Sequence, residues 1–147
     1  MAPLLANTPL VAAIVATVVA QLLKLLLVVL TEKRWAFGRL LETGGMPSSH
    51  SAAVSALAVS LGAVHGWASP YFAIAAVFGS IVMYDATGIR RAAGLQAEMI
   101  NDLVRELGHL MDEGFQPQAL RTLLGHTYPQ VVAGAIVGIA TGLLMTL

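Results

Sequence analysis

The run from Thr8 to Leu30 constrains this chain more than any other feature, because only Gln21 and Lys24 interrupt its apolar character. A bilayer-spanning helix takes about 20 apolar residues, and this run supplies them. Three further apolar stretches, Ser49–Val64, Pro70–Tyr84 and Pro129–Leu147, read the same way. Ser49–Val64 and Pro70–Tyr84 are short and carry serines, so they are expected to tilt or to be shielded by neighbours. Composition agrees: of 147 residues, 57% are hydrophobic and 11% are charged, against about a quarter charged in ordinary soluble domains. The expectation is a single domain over residues 1–147, an all-α polytopic membrane bundle of about four transmembrane helices.

The stretch from Asp85 to Tyr128 is more polar. Within it Ile100, Leu103, Val104, Leu107 and Met111 recur at helical spacing, with Asp102, Arg105 and Glu106 elsewhere on the turn. This predicts an amphipathic helix over Ala97–Met111, lying at the interface or against the core. Zero formal net charge leaves no footprint for nucleic acid, whose binding rests on a basic surface. With no cysteine there is no disulfide framework and no thiolate metal site. The first run has no basic region before it and no clear small-residue cleavage site, so it is expected to be retained.

Four spans would put the Thr31–Pro47 and Asp85–Tyr128 segments on one side of the membrane. Lys33, Arg34, Arg39, Arg90, Arg91, Arg105 and Arg121 all fall on that side, and the short turn Gly62–Ser69 opposite carries no Lys or Arg. The positive-inside rule makes the charged side cytoplasmic. The expected setting is the inner (cell) membrane of a bacterium. Gly134, Gly138 and Gly142, spaced by four, form a seam that permits close helix approach.

The same topology gathers the chemistry. In Gly44-Gly45-Met46-Pro47-Ser48-Ser49-His50-Ser51 a glycine-proline loop enters an uncharged run. Pro47 suits a first helical turn, and Ser48 and Ser49 can cap exposed N–H groups. Such a helix start is a ready anion site, here with an imidazole at its mouth. Lys24, Asp85, Arg90, Arg91 and His126 are brought to the same end. Lys24 lies six residues before the end of its run, about 9 Å at helical rise. It either snorkels to the interface or binds phosphate. Gln21, one turn earlier, is placed to hold it or to bond between helices. Asp85 either caps the next helix, pairs with Arg90 or Arg91, or joins the site. His65 and His109 have no comparable setting and read as structural or exposed. Two histidines, a lysine and arginines around a helix start point to phosphoryl chemistry, one histidine attacking phosphorus and the other protonating the leaving oxygen. No His-x-x-x-His spacing supports a metal site, and no metal or cofactor is expected.

Pro47-Ser48-Ser49-His50 resembles the Pro-Ser-Gly-His motif of the type-2 phosphatidic acid phosphatases, relatives of the vanadium haloperoxidases. His126-Thr127-Tyr128-Pro129-Gln130, running into an apolar helix with Ala133-Gly134, resembles that family's last motif. The Gly44–Ala52 segment, Val82-Met83-Tyr84-Asp85-Ala86 with Arg90-Arg91-Ala92-Ala93-Gly94, and Leu124-Gly125-His126-Thr127 are similar to a divergent bacterial and plant branch over nearly the whole chain. The resemblance implies that His126 is the nucleophile, His50 the general acid, and Ser48 and Ser49 part of the phosphate site. The family's orienting Asp falls at Gln130, which accepts a ring N–H without stabilising an imidazolium as a carboxylate does; Asp85 is the alternative. The family's Ser-Arg pair falls at Ala119 and Leu120, so Arg90 and Arg91 are the substitutes, and Lys24 is the candidate lysine.

Two functions follow as expectations. One is a metal-independent phosphatase for a lipid phosphate or an isoprenyl or lipid pyrophosphate. The other is a non-catalytic protein that binds or translocates lipid phosphate with the same pocket. Expected partners are that substrate and membrane lipids, with a homodimer as one way to cover the short helices.

Overall fold

The computed structural model describes residues 2–33, 45–108, 118–122 and 124–147. Arg34, Arg39, Gly44, His109 and Met111, which entered the expectations above, lie outside them. The described residues form helices and no strand: α1 (Ala2–Leu5), α2 (Thr8–Glu32), α3 (Ser49–His65), α4 (Pro70–Thr87), α5 (Ile89–Leu107) and α6 (Tyr128–Leu144). The four apolar runs are α2, α3, α4 and α6, and the protein is an all-helical membrane bundle.

Local sequence sets the boundaries. Asn7 caps α2 by accepting from the Leu10 N–H, and Ser69 caps α4 by accepting from the Phe72 N–H; each helix then has a proline in its first turn. Lys33 closes α2 in the left-handed conformation. At the turn between α3 and α4, the Trp67 ring lies against Gly62 and meets Phe72 edge-on, while His65 packs on Tyr71. His65 is thus structural. The amphipathic helix begins at Ile89 rather than Ala97. Gly88 ends α4, and Arg90 to Ala93 are good helix formers that carry the new helix directly from that break.

The interior is built from small residues. α3 is central and touches α2, α4 and α6. Ala16 and Ala20 of α2 meet Ala52 and Ala56 of α3, all fully buried, with Val137 of α6 packed alongside. Ala12, Ala16, Ala20 and Lys24 make one buried stripe along α2 at intervals of four. The larger apolar side chains point the other way: Ile14, Val18, Leu22, Ile74, Val77, Phe78, Ile81, Val132 and Ile136 are all exposed. Only 17% of the apolar window of α2 is buried within the protein. Water would penalise such a surface, whereas lipid tails solvate it, and helix association then depends on close packing and hydrogen bonds.

The glycine seam of α6 supplies that packing. A methyl group on Gly134 would overlap the Ser48 carbonyl, one on Gly138 would overlap the Ala52 carbonyl, and one on Gly142 would come within 2.9 Å of the Ala56 carbonyl. Backbone therefore lies on backbone along the α3–α6 crossing. Ser60 adds a hydroxyl bond to the Gly142 carbonyl at 3.5 Å. Gly138→Val is expected to cost about 1–3 kcal/mol by overpacking, whereas Ile136→Val on the exposed face should stay within about 0.5 kcal/mol. Thermal unfolding of the two variants in one detergent checks the difference.

Candidate functional site

The end of α2, the start of α3, the end of α4 and the start of α6 meet at one end of the bundle. Backbone bonds tie them: Ser48 N–H donates to the Gln130 carbonyl at 3.0 Å, and His126 N–H to the Ala86 carbonyl at 2.9 Å. Gly45, at φ +92°, brings its backbone against the Lys24 stem, where a side chain would meet Lys24 Cε. Lys24 is buried at 6% exposure, so its ammonium is held inside this end of the bundle.

His126 sits just before α6 and is 7% exposed. Thr127 and Gln130 form a capping box, in which Gln130 Oε1 accepts the Thr127 N–H at 3.0 Å. The same oxygen lies 3.2 Å from His126 Nδ1. A backbone N–H is an obligate donor, so the atom facing it is the amide oxygen, and the ring nitrogen beside that oxygen carries a proton. In the neutral ring the lone pair is then on Nε2. Burial depresses the His126 pKa below 6.5; the Gln130 bond opposes this, electrostatic interaction with His50 and Lys24 adds to it, and a bond to the Gly45 backbone opposes it. The balance leaves the ring below its ordinary value, which favours its neutral form.

Around His126 lies a hollow of about 230 Å³ whose polar lining includes Arg91, Glu98, Thr122 and Gln130. Pockets that bury whole small molecules run to about 300–1,000 Å³, so this one suits a head group. A second hollow, lined by His50, Asp85 and Arg90, opens between α3, α4 and the start of α5. There Arg90 Nε donates to Asp85 Oδ2 at 2.6 Å, with the two side chains 60% and 33% exposed. A pair this exposed contributes only about 0–1 kcal/mol.

The expected cluster is thus divided. Lys24, Arg91, His126 and Gln130 belong together, while His50, Asp85 and Arg90 form the neighbouring group, close enough for His50 to act on His126 electrostatically. Gln130 rather than Asp85 meets the His126 ring, because Asp85 turns to Arg90 across the Gly88 break. Ser48 and Ser49 line neither hollow. Ser48 is fully buried; its hydroxyl caps α3 through the Ser51 N–H and bonds the Ser51 hydroxyl at 3.0 Å. Ser49 faces α2, where its hydroxyl accepts from Gln21 Nε2 at 3.5 Å. Both are taken by helix contacts that the sequence motif does not display. Glu98 was not singled out from sequence. Its signal was its place two turns after Arg91, which puts both on one flank of α5.

Taken together, this is a polytopic membrane protein with paired histidines and cations at one end of its bundle. The chain belongs to the divergent PAP2 family, whose model matches residues 5–141. It is similar to the uncharacterized membrane protein YuiD of Bacillus subtilis (strain 168), with 40% identity over 153 residues, 98% of this chain and 94% of that protein. No solved structure matches the chain. The family agrees with the resemblance drawn from the motifs.

Because the folded pKa of His126 is depressed, the unfolded chain takes up its proton first as pH falls. The stability this residue contributes is therefore full above about pH 6.5 and declines as pH drops from there towards the folded value. Gln130→Glu keeps the capping box and adds a carboxylate, so it should raise the His126 midpoint. Histidine NMR titration of both proteins reads this directly; an unchanged or lower midpoint would contradict the assigned contact.

Proposed function

We propose that the protein is a lipid-phosphate phosphatase that works through a phosphohistidine at His126. The observation that carries this reading is the buried His126 ring, held by Gln130 at Nδ1, with Lys24 acting on it and Arg91 lining the same hollow. Nε2 attacks phosphorus, the bond from phosphorus to the lipid oxygen breaks, and His50 gives its proton to the leaving alkoxide. Water then cleaves the N–P bond, returning a proton to His50 and releasing phosphate. Lys24 and Arg91 neutralise the phosphoryl oxygens through this exchange. Arg90 serves the His50 side, where Asp85 holds it. The site faces the cytoplasm of a bacterial inner membrane, as the distribution of Lys and Arg argues. The substrate is a lipid phosphate or pyrophosphate.

One observation favours a second reading, a lipid-phosphate binder or carrier without turnover. Gln130 supplies no negative charge for the imidazolium, which the family's Asp would. The two readings separate on a trapped phosphoenzyme. The purified protein is expected to release phosphate from phosphatidate, phosphatidylglycerol phosphate or isoprenyl pyrophosphate without added metal. His126→Ala should abolish release, and His50→Ala should slow it by about 100-fold or more. Acid-stable bookkeeping is unsuitable for phosphohistidine, so trapping is done at alkaline pH. Bound lipid phosphate with no phosphohistidine would establish the carrier reading instead, and release that survives His126→Ala would sink the phosphatase.

A further inference from the structure

His126 is carried by an irregular segment, and that segment is fastened along α5 at successive points. Asn101 makes the outermost fastening: its Nδ2 donates to the Leu120 carbonyl at 2.9 Å, and its Oδ1 accepts the Leu120 N–H at 2.9 Å. One side chain thus satisfies both backbone groups of one residue, as a neighbouring strand would. Two turns back along the helix, Gly94 lets the chain lie directly on α5, since a methyl group there would come within 2.7 Å of the Thr122 carbonyl. Gly125, at φ +78°, then rests on the Arg91 backbone, and His126 N–H closes the series on Ala86.

Asn101 has no local reason to be where it is. Asparagine is a poor residue for a helix interior, and its side chain reaches 19 residues along the chain rather than to its own turn. The flank of α5 bearing Gly94, Ala97 and Asn101 is turned to this segment, and Gly94 and Ala97 are buried. Met99, Ile100 and Leu103 lie elsewhere on the helix and are exposed. Close backbone contact at Gly94 and the two Asn101 bonds therefore hold the segment to α5, with only small residues buried between them.

We propose that Asn101 is a positioning residue for His126, fastening the segment that bears the imidazole to α5 so that the ring keeps its place in the hollow. The inference rests on His126 being the reacting group. Asn101 touches no substrate, so its removal should alter turnover and leave phosphate binding, which falls to Lys24 and Arg91, in place.

The test uses the full-length protein in detergent or vesicles with phosphatidate as substrate. Asn101→Ala is expected to lower kcat by about ten-fold or more, with KM held within about two-fold. The chain has no cysteine, so in the pair Asn101→Cys and Leu120→Cys any disulfide formed on oxidation joins these two positions, its formation checked by loss of both free thiols. The oxidised pair should recover most of kcat, and reduction should remove it again. An undiminished kcat in Asn101→Ala, or an oxidised pair that stays as slow as its reduced form while melting like the wild type, would overturn the proposal. If the wild type releases no phosphate, the phosphatase reading fails separately. The His126 NMR titration then decides: Asn101→Ala should move its midpoint up towards 6.5 as the ring loses its burial, and an unmoved midpoint refutes the positioning role.

Discussion

The crossing of α3 and α6 is the contact on which the rest of this protein depends. Three glycines on one helix meet the carbonyl row of Ser48, Ala52 and Ala56 on the other. Only small side chains stand at these three points, so the register of the two helices is set largely by the shapes of their backbones. That register carries the chemistry, because Ser48 starts α3 and Gln130 lies in the first turn of α6. The Ser48 N–H to Gln130 carbonyl bond is the last rung of this crossing. Gln130 is thereby fixed from both sides: its backbone by α3, its side chain by the Thr127 cap and the His126 ring.

A bundle with an interior of alanine, serine and glycine has little hydrophobic stabilisation of its own. Among the described residues its largest fully buried side chains are Ser48, Ser51 and Ser60. In lipid this is workable, since exposed leucines and isoleucines incur no penalty and small residues let the helices approach closely enough for dispersion and hydroxyl bonds to count. Lys24 fits the same logic. It continues the Ala12–Ala16–Ala20 stripe and thus enters the bundle at the one level where polar groups from the other helices converge.

The polar end shows how one residue can serve structure and chemistry together. Gln130 is a capping-box residue that any helix start of this kind could use, and its position next to His126 turns the cap into a holder for the imidazole. A carboxylate there would draw the ring towards its charged form, whereas the amide leaves burial dominant and the ring neutral. Under the proposed phosphatase reading a neutral ring is the attacking form, which offsets part of the missing negative charge.

The sequence by itself determined the four apolar helices, the polar segment between the last two, the small-residue seam, and the convergence of Lys24, His50, Asp85, Arg90, Arg91 and His126 at one end. These follow from run length, period and topology, which are local or additive properties. The motif resemblance singled out both histidines, which lie near each other at that end. Only the tertiary structure decided which polar groups face each other. Ser48 and Ser49 are consumed by capping and by α2, Asp85 turns to Arg90, and Gln130 takes His126, because helix rotation about each axis is fixed by packing rather than by spacing. Asn101 was out of reach of the sequence: its partner Leu120 lies on a segment whose path along α5 depends on where Gly94 and Gly125 allow backbone to touch backbone.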